Sequence, residues 1–134
     1  MARSLRQFVR ARAGYRCEYC HLPDDATPAA FHVDHVIARQ HGGSDQPDNR
    51  CWSCHRCNLK KGPNLSGRDP LSGNTVALFH PRRQRWVRHF RWVGAVLIGR
   101  TRCGRATIAV LDINDHGRVE LRQTLIDQGE WRDR

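Results

Sequence analysis

The chain has 134 residues, 39% of them hydrophobic and 7% aromatic, a length that suits a single compact unit with a modest core. Lys and Arg number 23 against 13 acidic residues; the net charge of +10 and pI of about 10.4 describe a surface that attracts polyanions, nucleic acid above all. No stretch reaches the ~18 apolar residues of a membrane span, and residues 1–12 are broken by arginines and carry no apolar signal core, so no membrane partner and a cytoplasmic location are expected. Six cysteines in a reducing compartment then read as metal ligands or buried thiols rather than as three disulfides.

Taken in chain order, residues 3–13 have Ser4 as a cap and Leu5, Phe8 and Val9 at helical spacing, which predicts a short helix ended by Gly14. Residues 30–37 read as a strand, and His41-Gly42-Gly43-Ser44-Asp45 opens a loop that runs on through Pro47 and Asp48. A helix is expected over residues 54–61, stopped at Gly62-Pro63. The Gly-, Pro-, Ser- and Asn-rich stretch 62–73 reads as a linker to an extension. That extension has expected strands at 75–79 and 93–98, and expected helices at 81–90, 104–113 and 118–128. The whole is a mixed α+β chain. Residues 1–62 form its first part and residues 63–134 an extension packed on it.

Cys17-Glu18-Tyr19-Cys20 and Cys54-His55-Arg56-Cys57 are two C-x-x-C pairs, the usual way to build a closed tetrahedral zinc site. Four sulfur ligands leave no position for water, so this zinc is structural. Cys51 and Cys54 also form a C-x-x-C, but Cys51 and Cys103 are read as small buried side chains. A two-Cys, two-His finger is excluded by the lack of a properly spaced histidine pair. A zinc deaminase is excluded because Asp34 stands where its Glu is required, and Ser53 where its Pro is.

Between the pairs lies His32-Val33-Asp34-His35, followed by Gly42-Gly43, Asn49, and Cys57-Asn58 leading to Lys61-Gly62. The Asp34 carboxylate and the Asn58 amide oxygen are hard ligands suited to Mg²⁺ or Mn²⁺. A neutral His35 beside them can take a proton from an attacking water, the demand of metal-assisted phosphodiester hydrolysis.

This constellation resembles the HNH endonuclease motif on its ββα-metal fold, in the version stapled by zinc through C-x-x-C…C-x-x-C. The likeness covers about a third of the chain, from Cys17 to Gly62. It implies His35 as general base, Asp34 and Asn58 as ligands of the catalytic metal, and Asn49 as the central Asn that ties the loop and orients the base. Because Asn58 directly follows Cys57, the likeness also assigns Cys54 and Cys57, with Cys17 and Cys20, to the zinc. The strict pattern here is H-N-N. Ala38 stands near a common Pro, and Cys51-Trp52 replaces a common aliphatic pair.

The implied activity is an endonuclease leaving 5′-phosphate and 3′-hydroxyl ends; the expected partner is nucleic acid, with double-stranded DNA preferred and RNA left open by the sequence. The alternative is a zinc-stabilised nucleic-acid-binding module without activity. Arg39, Arg56, Lys60 and Lys61 are candidate phosphate contacts, and so is His32, although a lone extra histidine is more often structural. In the extension, Trp86 and Phe90 are four apart and read as a core-facing pair, with Arg82, Arg83 and Arg85 free for phosphate. Adjacent Asp34 and His35 point to opposite faces of an ideal strand, so both serve one site only if the strand ends or bulges there.

Overall fold

A computed structural model describes residues 3–131 of the chain; residues 1–2 and 132–134, the outer ends of the two expected parts, lie outside the described residues. The chain divides into two compact units. Among the described residues, the first runs to Asn64 and takes in His80–Arg83, and the second holds Leu65–Phe79 and residues 84–131.

The first unit opens with helix α1, Leu5–Arg12. Ser4 caps it reciprocally: its hydroxyl accepts from Gln7 N while the Gln7 side chain accepts from Ser4 N, a device that contributes about 1 kcal/mol. Strands β1 (His32–His35) and β2 (Arg50–Ser53) pair antiparallel, with Asp34 opposite Cys51 and His35 opposite Arg50. Helix α2 (His55–Lys61) follows directly, with Cys54 as its cap. The order is therefore strand, strand, helix, with two short 3-10 turns, Arg39–His41 and Pro47–Asn49, between the strands.

Trp52 anchors this unit's core beside Val9, Tyr19, Leu22 and Phe31. Its indole donates to Asp24 at 3.2 Å, its backbone N–H donates to Glu18 at 2.8 Å, and the Arg6 guanidinium lies 4.7 Å over the ring. Arg82 pairs with the same Glu18, which ties His80–Arg83 into this unit.

The strand expected over 30–37 is shorter because its last amides have other partners. Val36 N–H donates to the Asn49 carbonyl and Ile37 N–H to the Asn49 side chain, each at 2.9 Å, which turns the chain into a loop.

The second unit contains β3 (Ser66–Arg68) paired with β4 (Thr75–Ala77), and the hairpin of β5 (Phe90–Val93) and β6 (Val96–Gly99). Its helices are α3 (Trp86–His89), α4 (Arg102–Leu111) and α5 (His116–Asp127). Leu78, Phe79, Phe90, Leu97, Leu111 and Leu125 are buried here. The helix expected over 81–90 shrinks to the four residues of α3. Pro81 and Arg82 are held in the first unit, and Phe90 enters the ladder opposite Gly99. Trp86 and Phe90 still meet, with ring centroids 5.1 Å apart. No helix among the described residues is long and apolar enough to cross a membrane.

Candidate functional site

The four sulfurs of Cys17, Cys20, Cys54 and Cys57 lie within 4.8 Å of one another, all buried, and Cys20 Sγ is 3.8 Å from Cys54 Sγ. A tetrahedron of Zn–S bonds near 2.3 Å has sulfur–sulfur edges of about 3.8 Å, so the cluster fits zinc. Burial pushes the Cys17 thiol well up, while hydrogen bonds from Cys17 and the other two cluster thiols hold Cys54 down. Cys51 stays outside the cluster. It is fully buried against the Tyr19 hydroxyl, 3.8 Å away, and burial pushes its thiol up to about 12. The cluster thus takes in Cys54 and Cys57 and leaves Cys51 out. Because Cys54 both belongs to the cluster and caps α2, with its sulfur accepting from Cys57 N–H at 3.4 Å, the cluster sits where that helix begins.

One turn into α2, the Asn58 amide faces the Asp34 carboxylate. With Nδ2 turned inward it donates to the two carboxylate oxygens at 3.2 and 3.1 Å. With Oδ1 turned inward, an amide oxygen and a carboxylate face one point, the donor set that a hard divalent cation takes. Burial pushes the Asp34 carboxyl up from its ordinary range, and the nearby Lys61 ammonium pulls it back.

Asp34 and His35 line one open cleft of about 310 Å³, together with Ala38, Arg39, Gln40, Gly62 and Pro63. Neighbours on a continuing strand would diverge; β1 ends at His35, and both side chains reach the same cleft. The turn that follows is clamped by Asn49. Its Oδ1 accepts from Ile37 N, and its Nδ2 donates to Ile37 O at 2.9 Å and Ser44 O at 2.7 Å. Gly43 lets these groups close up, since a Cβ there would sit 1.7 Å from Ile37 O and 2.9 Å from Asn49 Nδ2.

His35 Nε2 lies 2.8 Å from Asp45 Oδ1, and Arg39 Nε lies 2.8 Å from the same oxygen. Those two partners, Arg39 foremost, hold the Asp45 carboxyl down to about 2, so it is an anion at neutral pH. Asp45 is absent from the residues expected at the site. Its only sequence signal is an acidic residue in the glycine loop ten positions after His35, and nothing in that spacing fixes a contact.

Of the candidate phosphate contacts, Arg39 and Lys60 are exposed and Arg56 is half-buried on α2. His32 is held by His55, Nε2 to Nδ1 at 3.0 Å, and is not among the residues lining the cleft. Lys61 is a correction. It is 2% exposed and its ammonium donates to Val36 O at 2.9 Å, so it supports the turn after β1 from inside and has no surface to offer a phosphate.

No curated protein and no solved structure gives a significant match to the chain. The model of the HNH endonuclease family does match, over residues 17–64. That match spans both cysteine pairs, β1, β2 and α2, and identifies this segment, about a third of the chain, as an HNH endonuclease domain, a family whose activity is of the nuclease type.

Proposed function

We propose that the protein is a divalent-metal-dependent endonuclease that hydrolyses phosphodiester bonds of double-stranded DNA in the cleft at the end of β1. The observation that carries this reading is the convergence of Asp34, Asn58 and His35: carboxylate against amide, with the histidine opening into the same cleft. Asp34 and the Asn58 oxygen would hold Mg²⁺ or Mn²⁺, which supplies charge stabilisation to the phosphate and the leaving oxygen.

His35 takes the proton of the attacking water. With Nε2–H directed at Asp45, its lone pair lies on Nδ1, and that atom is the acceptor. Asn49 keeps the loop that carries Asp45 folded back on the strand end by bonding Ser44 and Ile37. Arg39, which lines the cleft, would meet a phosphate oxygen, and Arg56, Lys60 and His32 would be further contacts outside it. Zinc on Cys17, Cys20, Cys54 and Cys57 would take no part in the reaction and would hold the start of α2.

The test is incubation of supercoiled plasmid with the protein and Mg²⁺ or Mn²⁺, with EDTA, His35→Ala and Asp34→Ala controls. Nicked or linear product that needs the metal, carries 5′-phosphate ends and disappears in both variants is expected. Equal cleavage by His35→Ala removes His35 as base. Metal-independent binding without cleavage of any nucleic acid leaves a zinc-stabilised binding module.

A further inference from the structure

From Pro70 to Leu111 the second unit has no acidic residue, while arginines recur and lysine is absent. The fold gathers several of these arginines around one point, His89. Arg85 and Arg88 are joined across α3 by the Arg88 N–H to Arg85 O bond of 3.1 Å. Arg100 N–H donates to His89 O at 2.7 Å, and its guanidinium donates to Val87 O at 3.3 Å. The His89 ring meets the Thr101 hydroxyl at 2.6 Å, which places Arg102, the first residue of α4, beside the same point. Gly104 makes the approach possible, since a Cβ there would lie 2.1 Å from His89 O.

Arg85, Arg88, Arg100 and Arg102 are all exposed, and none has an acidic partner among the described residues. The acidic side chains of this unit lie elsewhere in its sequence. Asp69 is buried on Arg105, and the rest begin at Asp112, at the far end of α4 from Arg102. The stretch that carries these arginines therefore holds no carboxylate of its own. Burial, first, and nearby Arg88 hold the His89 imidazole below its ordinary range.

We infer that this arginine face of the second unit is a binding surface for the phosphate backbone of duplex DNA, separate from the phosphate contacts of the HNH domain. Guanidinium groups meet phosphate oxygens bidentately and shed water more readily than ammonium groups. A single-strand platform would need aromatic faces free for bases. Here the aromatics pack on one another instead: Trp86 lies tilted against Phe90 and Trp92, and Trp92 meets Trp131 edge to face at 5.2 Å. What remains on offer is charge without stacking, which suits a duplex backbone read without regard to sequence.

The inference rests on the nuclease reading above, and the experiment separates the two. Affinity of the full chain for a short duplex is measured across salt concentrations, alongside steady-state cleavage, for wild type and two triple variants. One carries Arg85→Gln, Arg88→Gln and Arg102→Gln, and the other carries Lys at the same three positions; melting curves verify that both fold. The Gln variant should bind at least about tenfold more weakly at 0.1 M salt. Its log–log salt slope should be shallower by about two to three units, at about 0.9 for each phosphate left without a cation. Its KM should rise while kcat at saturating duplex stays that of wild type, and the Lys variant should restore the slope. Wild-type affinity and slope in the Gln variant, with wild-type cleavage intact, overturns the arginine face and leaves the nuclease standing. A wild-type protein that neither binds nor cuts duplex overturns both.

Discussion

His35 and Asp45 are joined at 2.8 Å, and the carboxylate oxygen that His35 meets also accepts from Arg39 at 2.8 Å. The imidazole is thereby oriented by an anion that is itself held in place. Asp45→Asn removes the charge and leaves an amide able to present either donor or acceptor to Nε2. The expected result is a kcat lowered by about 10-fold, with KM unchanged, and partial recovery in Asp45→Glu, in line with the 10- to 100-fold effects of groups that orient a catalytic side chain. Steady-state cleavage of a defined duplex checks it. An unchanged kcat in Asp45→Asn sinks the orienting role.

The cysteine cluster predicts one zinc per chain. Cys20→Ser or Cys57→Ser should lose the metal and the helical signal of α2 with it, because Cys54 both belongs to the cluster and caps that helix. Cys51→Ser should keep full zinc stoichiometry, since Cys51 lies outside the cluster. Metal analysis of the purified variants, together with far-UV circular dichroism before and after a strong chelator, distinguishes the two classes.

Asn49 carries the turn after β1 on three hydrogen bonds, to Ile37 N, Ile37 O and Ser44 O. Asn49→Ala leaves these backbone groups without their partner and should cost about 2–4 kcal/mol. Activity should fall further than stability alone explains, because the loop that presents Asp45 is released. Urea unfolding measures the first effect, and cleavage under conditions where the variant is fully folded measures the second. Retained activity in a folded Asn49→Ala protein argues against any role in site geometry.

The second unit should be acid-sensitive through Asp69. This carboxyl is fully enclosed, takes both Arg105 nitrogens at 2.9 Å and accepts from the Ser72 hydroxyl at 2.6 Å. Arg105 first, then Ser72 and the Leu71 and Ser72 amides, hold it well below the usual carboxylate range. Its contribution is present in full above the ordinary carboxylate pKa of about 3.9, and is lost as pH falls from there through the lowered folded value. Thermal melts should therefore decline steeply below about pH 4. Asp69→Asn should melt lower at neutral pH and show a flatter decline. Parallel pH profiles for the two proteins would remove Asp69 as the sensitive group.

The candidate ligands of this protein are legible in its sequence. Thiolate pairs at C-x-x-C spacing can close a tetrahedron from two tight turns, and Asp34, His35 and Asn58 have side chains whose donor types suit a hard ion and a base. Those properties belong to residue types and short spacings, and they survive without coordinates. The helices with caps and regular apolar spacing were legible for the same reason, as Ser4 ahead of α1 illustrates.

What only the tertiary structure decided depends on where chain segments meet. The end of β1 at His35, which lets adjacent residues share a cleft, is set by Asn49, more than a dozen positions on. The burial of Lys61 is set by a carbonyl at Val36 that needs a donor from inside. The Asp45 contact and the approach of Arg100 and Thr101 to His89 likewise join residues that no local period relates. Ligand type is a local property of the chain; which neighbour a charged side chain finds, and whether it faces water or the core, is fixed only when the packing closes around it.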